Sequence, residues 1–298
     1  FFFFHKTNQN TSNNFFWLSK ETSIIINNWF MMYFLSVVLI GTVYPIFLDV
    51  LSSQKISVGP PFYHKLMIPF LIPFLIAMTI GPKLKWIKSN LKDKLYLVSL
   101  LVLSILLSLF IVKKFDTNFL INTILISSAL YLFLTTFRDF FIKKYNNISQ
   151  NVAHFGFSLL ILSILFNNLF STEIITNLKV GETYDSPETK IVFESIDQKQ
   201  KKNYKSVVAN FSVKRSNGIA ENLSPELRIY NQPNIVTSEA DIKTSLISDK
   251  FIVINIVKNQ DYFNVRYQVK PFMLWIWMSV LLISFAGFMS LFRKEYEK

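Results

Sequence analysis

The sequence predicts an α-helical integral membrane protein with about six transmembrane helices and a small β-rich extracytoplasmic domain inserted before the last helix. Composition comes first: 51% of the 298 residues are hydrophobic, 31 are Phe, and the mean hydropathy is +0.34, values outside the range of ordinary soluble domains. Six runs without acidic or basic side chains, one histidine apart, come close to the ~20 residues that cross a bilayer. Between the fifth and sixth runs, about a hundred residues switch to a two-residue alternation, which signals strands rather than helices.

In chain order the runs are Trp29 to Leu48, Leu66 to Pro82, Leu95 to Val112, Phe119 to Phe137, Asn151 to Phe170 and Pro271 to Leu291. The second is short and holds Pro69 and Pro73, so a kinked or partly re-entrant helix is open there. The opening FFFFHK lacks a starting Met and a basic n-region, so it does not read as a signal peptide. It reads as the end of an earlier span, which makes the chain a fragment. This divides the sequence into a membrane domain over 1–170, a β-rich domain over 171–269, and a last helix with a basic tail over 270–298.

The net charge of +12 is unevenly placed. Between Glu173 and Val269 there are 13 basic and 12 acidic residues, so the excess lies in loops beside the spans. One face collects Lys6, Lys20, Lys83, Lys85, Lys88, Lys92, Lys94, Arg138, Lys143, Lys144, Arg293, Lys294 and Lys298. The other collects Lys55, Lys65, Lys113, Lys114 and Lys270. This positive-inside asymmetry puts both termini on the cytoplasmic or matrix side and the β-rich domain outside. The basic residues form no aromatic-interleaved stripe in the soluble part, so nucleic acid is not an expected partner.

Within the outer domain, Lys190–Asp197, Ser206–Lys214, Glu226–Tyr230, Phe251–Val257 and Tyr262–Val269 read as strands. Ser216-Asn217-Gly218 supplies a turn, and Lys258 to Asp261 joins the last two runs as a hairpin. Five or six strands hold a modest core. The chain has no Cys, so no disulfide supports that core, and the chain offers no thiol nucleophile.

No internal repeat, phosphate loop, hydrolase triad or metal-ligand cluster is apparent. The residue that stands out is His154, one of three histidines, inside the otherwise uncharged stretch Asn151–Phe170. Titratable groups among lipid tails are costly and usually face a cavity, a partner or a cofactor. Imidazole is an axial ligand of haem iron; a packed histidine hydrogen-bonded to a neighbouring helix is the plain alternative. If the helix enters the membrane near Asn151, His154 lies only ~5 Å past the boundary. Gly156 leaves room beside the ring, while Phe157, Ser158 and Ile161 share its helical face at i+3, i+4 and i+7, as pocket walls or as ordinary packing. On the outer side, Lys55, Ser57, Gly59, Pro60 and Pro61 make a stiff extended turn between two spans. Trp275 and Trp277 open the last span in the manner of an interfacial aromatic belt.

The order of motifs adds a second line of argument. LSKETSIIINN precedes a span, GTVYP lies in it and KISVGPPFY follows it. AHFGFSLLILSI comes later, then SPELRIY and SEADIKTSLISDKFIVI in the β-rich part, then VRYQVKPFMLWIW. This series, covering nearly the whole chain, resembles the C-terminal part of the CcmF family, the haem lyase component of System I cytochrome c maturation. The resemblance implies a resident haem b held by two transmembrane histidines, one of them at an AH-x-G helix start like Ala153-His154-Phe155-Gly156. It carries that role to His154 alone; His5 and His64 match no family ligand.

The reaction it implies is covalent attachment of haem to the CxxCH thiols of apocytochrome c on the outer face of a bacterial or mitochondrial inner membrane. The implied partners are the missing N-terminal half of the protein, in cis or as a separate chain, the holo-CcmE haem chaperone, CcmH-type apocytochrome-handling subunits, apocytochrome c and the lipid bilayer. The outer residues around Gly59 and the two Trp become a platform where these meet, and the chain alone is expected to be inactive. A permease subunit or a cofactor-free scaffold are the rival readings. The permease is disfavoured because no pseudo-symmetric halves or paired broken helices mark a midplane site.

Overall fold

A computed structural model describes residues 16, 18–52, 56–86, 94–113, 119–142, 148–216, 218–257 and 261–292. It has six helices long and apolar enough to cross a membrane, as the sequence predicts. They are α1 (Lys20–Ser52), α2 (Pro60–Ile80, continued by a 3-10 turn over Gly81–Lys83), α3 (Lys94–Val112), α4 (Phe119–Phe141), α5 (Ile148–Phe170) and α6 (Met273–Leu291). The chain divides into two compact units, 1–158 and 159–298.

In the first unit, α1 and α2 begin before the apolar runs do. Ser19 accepts the backbone N–H of Thr22 at 3.2 Å, so α1 starts nine residues before Trp29. Gly59 is extended and Pro60 and Pro61 occupy the first turn of α2. The stretch read as a stiff turn is therefore a helix start, where proline's fixed φ and missing N–H cost nothing. Beyond it α2 runs on through Pro69 and Pro73 as one helix. α4 is the central element, with 61% of its spanning window buried against 11–22% for the other helices. Hydroxyls inside the spans bond back to their own helix: Thr135 to Tyr131 O at 2.8 Å and Thr136 to Leu132 O at 2.8 Å, which satisfies them without water.

Two of the sequence motifs meet here. At Gly41 of GTVYP, an added Cβ would lie 2.6 Å from the hydroxyl oxygen of Tyr63 in KISVGPPFY, so glycine permits α1 and α2 to approach. Nearby, the Tyr33 hydroxyl donates to Leu66 O at 3.0 Å, and its ring lies 4.1 Å from that of Phe70.

The second unit holds a β-sandwich and α6. Among the described residues there are ten strands: β1 (Thr172–Leu178), β2 (Thr183–Asp185), β3 (Thr189–Gln200), β4 (Tyr204–Arg215), β5 (Glu221–Leu223), β6 (Glu226–Tyr230), β7 (Val236–Glu239), β8 (Asp241–Thr244), β9 (Ser248–Ile256) and β10 (Phe263–Pro271). One sheet has the order β1-β10-β9-β8 and the other β2-β3-β4-β6-β7, with β5 also pairing β4. All five strand runs read from sequence are present, and the last two pair antiparallel as a hairpin; its connecting residues 258–260, and Asn217 of the other turn, lie outside the described residues. The additional strands are short or polar. Both inner faces contribute to the core, with Ile191, Phe193, Phe211, Leu227, Ile252, Ile254, Val265 and Tyr267 buried together. The Phe193 and Phe211 rings stack at 4.4 Å.

Candidate functional site

His154 sits in the second turn of α5, at the end of the helical unit where α1 begins and α2 and α4 finish. It is half-buried and lines a cavity of about 200 Å³ with Lys20, Ser23 and Asn27 of α1, Gly81 after α2, and Gln150 one turn before it. The ring therefore borders a partly polar space. α1 approaches closely here: a Cβ at Gly81 would fall 2.3 Å from Ser23 Oγ. The backbone N–H of Lys20 donates to Lys85 O at 2.9 Å, and Lys20 Nζ lies 5.1 Å from the centre of the Trp86 ring.

Beside this cavity lies an ion pair that the sequence reading did not find. Lys83 Nζ contacts Asp139 Oδ2 at 2.7 Å, with 4% and 7% of the two side chains exposed. Asp139 Oδ1 is buried without a hydrogen-bond partner. Both charges act electrostatically on His154. By sequence Lys83 belongs to a basic loop and Asp139 lies beyond the apolar run that ends at Phe137, whereas α4 runs on to Phe141. An acidic residue just past the end of an apolar run, still within the last turn of its helix, is the signal the sequence offers.

The neighbours of His154 on α5 divide their roles. Phe157 packs edge-on against Phe74 of α2 at 6.0 Å. Phe155, which the sequence reading did not single out, lies 5.2 Å from Phe133 and 5.5 Å from Phe140 of α4. Gly156 is buried. Ser158 is fully buried, and its hydroxyl donates to Phe155 O at 2.8 Å, so its polarity is spent on its own helix. Ile161 is half-buried, two turns along α5. The polar atoms around the cavity come instead from α1 and from Gln150.

The residues read as an outer platform fall in different units. Ser57, Pro60 and Pro61 are exposed and Gly59 is half-buried, all in the first unit; Lys55 lies outside the described residues. Trp275 and Trp277 belong to the second, 41% and 65% exposed. The Trp275 indole N–H donates to Leu246 O at 2.8 Å, which makes it a strut between α6 and the sandwich. His64 is exposed on the first turns of α2.

Residues 169–271 match the family described as the CcmF C-terminal beta-sandwich. The chain is 26% identical over 293 residues to the cytochrome c-type biogenesis protein CcmF of Pseudomonas aeruginosa, covering 93% of this chain and 44% of that protein. With the CcmF of Escherichia coli it shares 25% identity, covering 96% of this chain and 45% of that one. A solved structure, the cytochrome c heme lyase CcmF, superposes with a TM-score of 0.71 at 19% identity, over 93% of this chain and 46% of its own. The chain thus spans a little under half the length of these relatives. From α1 to α6 it is similar to the C-terminal part of the CcmF cytochrome c-type biogenesis proteins, as the motif order in its sequence indicates.

Proposed function

We propose that this chain acts as the C-terminal part of a cytochrome c haem lyase in a bacterial-type inner membrane, working with the N-terminal part of the same protein in cis or as a separate chain. Membrane domain 1–170, sandwich 171–269 and helix with tail 270–298 are its working divisions. Both ends face the inner side, and the sandwich faces outward where CcmE, CcmH-type subunits and apocytochrome c meet. The reaction adds each cysteine S–H of a CxxCH motif across a haem vinyl group: sulfur bonds one vinyl carbon, the hydrogen goes to the other, and nothing leaves. The thiols belong to the apocytochrome, in keeping with a chain that has no Cys.

The observation that carries this reading to a residue is the place of His154, a half-buried imidazole on the wall of a partly polar cavity inside an apolar helix unit. At about 200 Å³ the cavity is smaller than the ~300–1,000 Å³ of small-molecule sites. The lining would therefore take only part of such a group: His154 would hold the iron, Ile24, Ala77 and Met78 would supply apolar wall, and Lys20 would offer a cation to a carboxylate. Any second ligand to that iron would come from outside the described residues. A haem b, if held there, would supply one-electron chemistry. The chain's own part is to hold the imidazole. A metal-bound His almost always donates its other ring N–H to a carboxylate, carbonyl or water, and the unpartnered Oδ1 of buried Asp139 is an acceptor of the right kind on a neighbouring helix.

The test is the absorption spectrum of the complex purified with its N-terminal part. A b-type spectrum that His154→Ala abolishes while the complex still assembles is the expected result. A spectrum unchanged by His154→Ala removes the ligand role, and a complex without haem favours a scaffold or permease. Substituting Gly59 or Pro60 without loss of cytochrome c assembly counts against the platform.

A further inference from the structure

The turn between β8 and β9 carries apolar residues where turns usually carry polar ones. Ser245 and Ser248 close it: Ser245 N donates to Ser248 O at 3.2 Å, and Ser248 N donates to Ser245 Oγ at 3.1 Å. Leu246 and Ile247, at the tip, are 72% and 71% exposed. Their carbonyls are nevertheless satisfied within the protein. Leu246 O accepts the Trp275 indole N–H at 2.8 Å, and Ile247 O accepts the backbone N–H of Phe272 at 2.8 Å. Both donors sit at the very start of α6, the last helix able to cross a membrane.

This combination has a physical reading. Backbone carbonyls are what keep most loops out of a bilayer, because hydrocarbon offers them no donor. Here the two tip carbonyls have donors from α6, and the side chains beyond them are Leu and Ile. The same turn is fixed to the level at which α6 begins, beside Trp275 and Trp277, a residue type enriched at the membrane–water boundary. We propose that the Leu246–Ile247 tip is a membrane-surface anchor, inserted among the lipid headgroups and upper acyl chains beside α6. It sets how the sandwich stands on the bilayer. The occupant of this apolar surface is lipid because the turn is bonded to Phe272 and Trp275 at the start of α6, and the residues that follow on that helix, Trp277, Val280 and Leu281, are exposed and apolar. The opposite end of β9 lies about 26 Å away at ~3.3 Å per residue. Ile235, beside that end through the Ser238–Asn255 contact of 2.6 Å on β7, is 50% exposed and serves as an apolar control far from the anchor.

The absence of Cys makes the test direct. Leu246→Cys, Ile247→Cys and Ile235→Cys, each introducing a single thiol at an exposed position, are labelled with a small fluorophore in the full chain in nanodiscs. The discs contain either plain lipids or lipids brominated near the glycerol end of the acyl chain. The expected result is bromine quenching at 246 and 247 about threefold or more above that at 235, as for a group seated ~5–10 Å into the headgroup–acyl boundary, with aqueous iodide showing the reverse order. Iodide quenching at 246 and 247 equal to that at 235 overturns the proposal. So does protection from both quenchers, which assigns the tip to a protein partner instead.

Discussion

The helical unit and the β-sandwich both bury apolar side chains, but they treat charged groups and their apolar surface differently. In the sandwich the centre is an apolar cluster from Ile191 and Phe193 to Val265 and Tyr267, and its ion pairs are partly or largely exposed, as in the Lys190–Asp185 pair at 3.9 Å, although Asp249 Oδ1 is buried. In the helical unit large apolar side chains point outward, Trp29, Leu95 and Phe110 among them, while Lys83, Asp139 and half-buried His154 lie inside. Water drives the first arrangement. It cannot drive the second, where lipid takes the apolar surface and polar groups inside a bilayer persist because they bind or position something. The sandwich therefore has the core of a scaffold, and the helical unit is where polar groups line a cavity beside His154.

Two substitutions of similar size break this contrast from its two sides. Lys83→Met leaves Asp139 buried and unpaired, a change expected to destabilise the helical unit by about 3–5 kcal/mol. The double variant Lys83→Met/Asp139→Leu recovers most of that, because an apolar pair of similar volume costs little in the same place. Phe193→Ala removes a fully buried ring and is expected to cost the sandwich about 3–5 kcal/mol. Hydrogen exchange read by mass spectrometry, peptide by peptide, separates the two: Lys83→Met should raise exchange in 20–141 and Phe193→Ala in 172–271. Identical exchange maps would show that the units do not hold their stability separately. A smaller effect is expected at Gly41, where an added methyl meets the Tyr63 ring. Gly41→Ala should cost about 1–3 kcal/mol by overpacking, and Gly41→Ala/Tyr63→Leu should return part of it.

How much of this was visible in the sequence depends on the range of the signal. Hydropathy located all six helices because bilayer length is a local property. It placed α1 and α2 late, since their first turns hold Lys20, Glu21, His64 and Lys65, polar residues that helix caps tolerate and a hydropathy window does not. The long strands β3, β4, β9 and β10 showed themselves through β-branched and aromatic runs. Strands such as β8, Asp-Ile-Lys-Thr, did not, because their strand character comes from pairing with β9 and not from composition. His154 was legible as a lone titratable group in an apolar stretch. Its charged neighbours were not, because Lys83 and Asp139 are 56 positions apart and no periodicity links them. The Trp275–Leu246 bond, 29 positions apart, was hidden for the same reason, and an aromatic-belt reading explained the tryptophan without it.

The smallest expected effect tests whether the sandwich's charged groups are as peripheral as the comparison holds. The Ser206 hydroxyl donates to Glu226 Oε2 at 2.6 Å, and Arg228 adds a further charge-assisted bond. Together, with Ser206 the larger influence, they hold the Glu226 carboxyl below its ordinary value near 4.5, against burial, which acts the other way. A carboxyl with a depressed folded pKa contributes stability that is present above its unfolded pKa and is lost as pH falls through the folded one. The sandwich should therefore be at full strength at neutral pH and weaken below about pH 4.5. Ser206→Ala should cost about 0.5–1.5 kcal/mol at pH 7 and less at pH 3, because the protonated carboxyl no longer gains from the missing donor. Melting curves at the two pH values measure the difference. An equal loss at both would mean that the cost comes from the buried Ser206 site itself and not from the charge of Glu226.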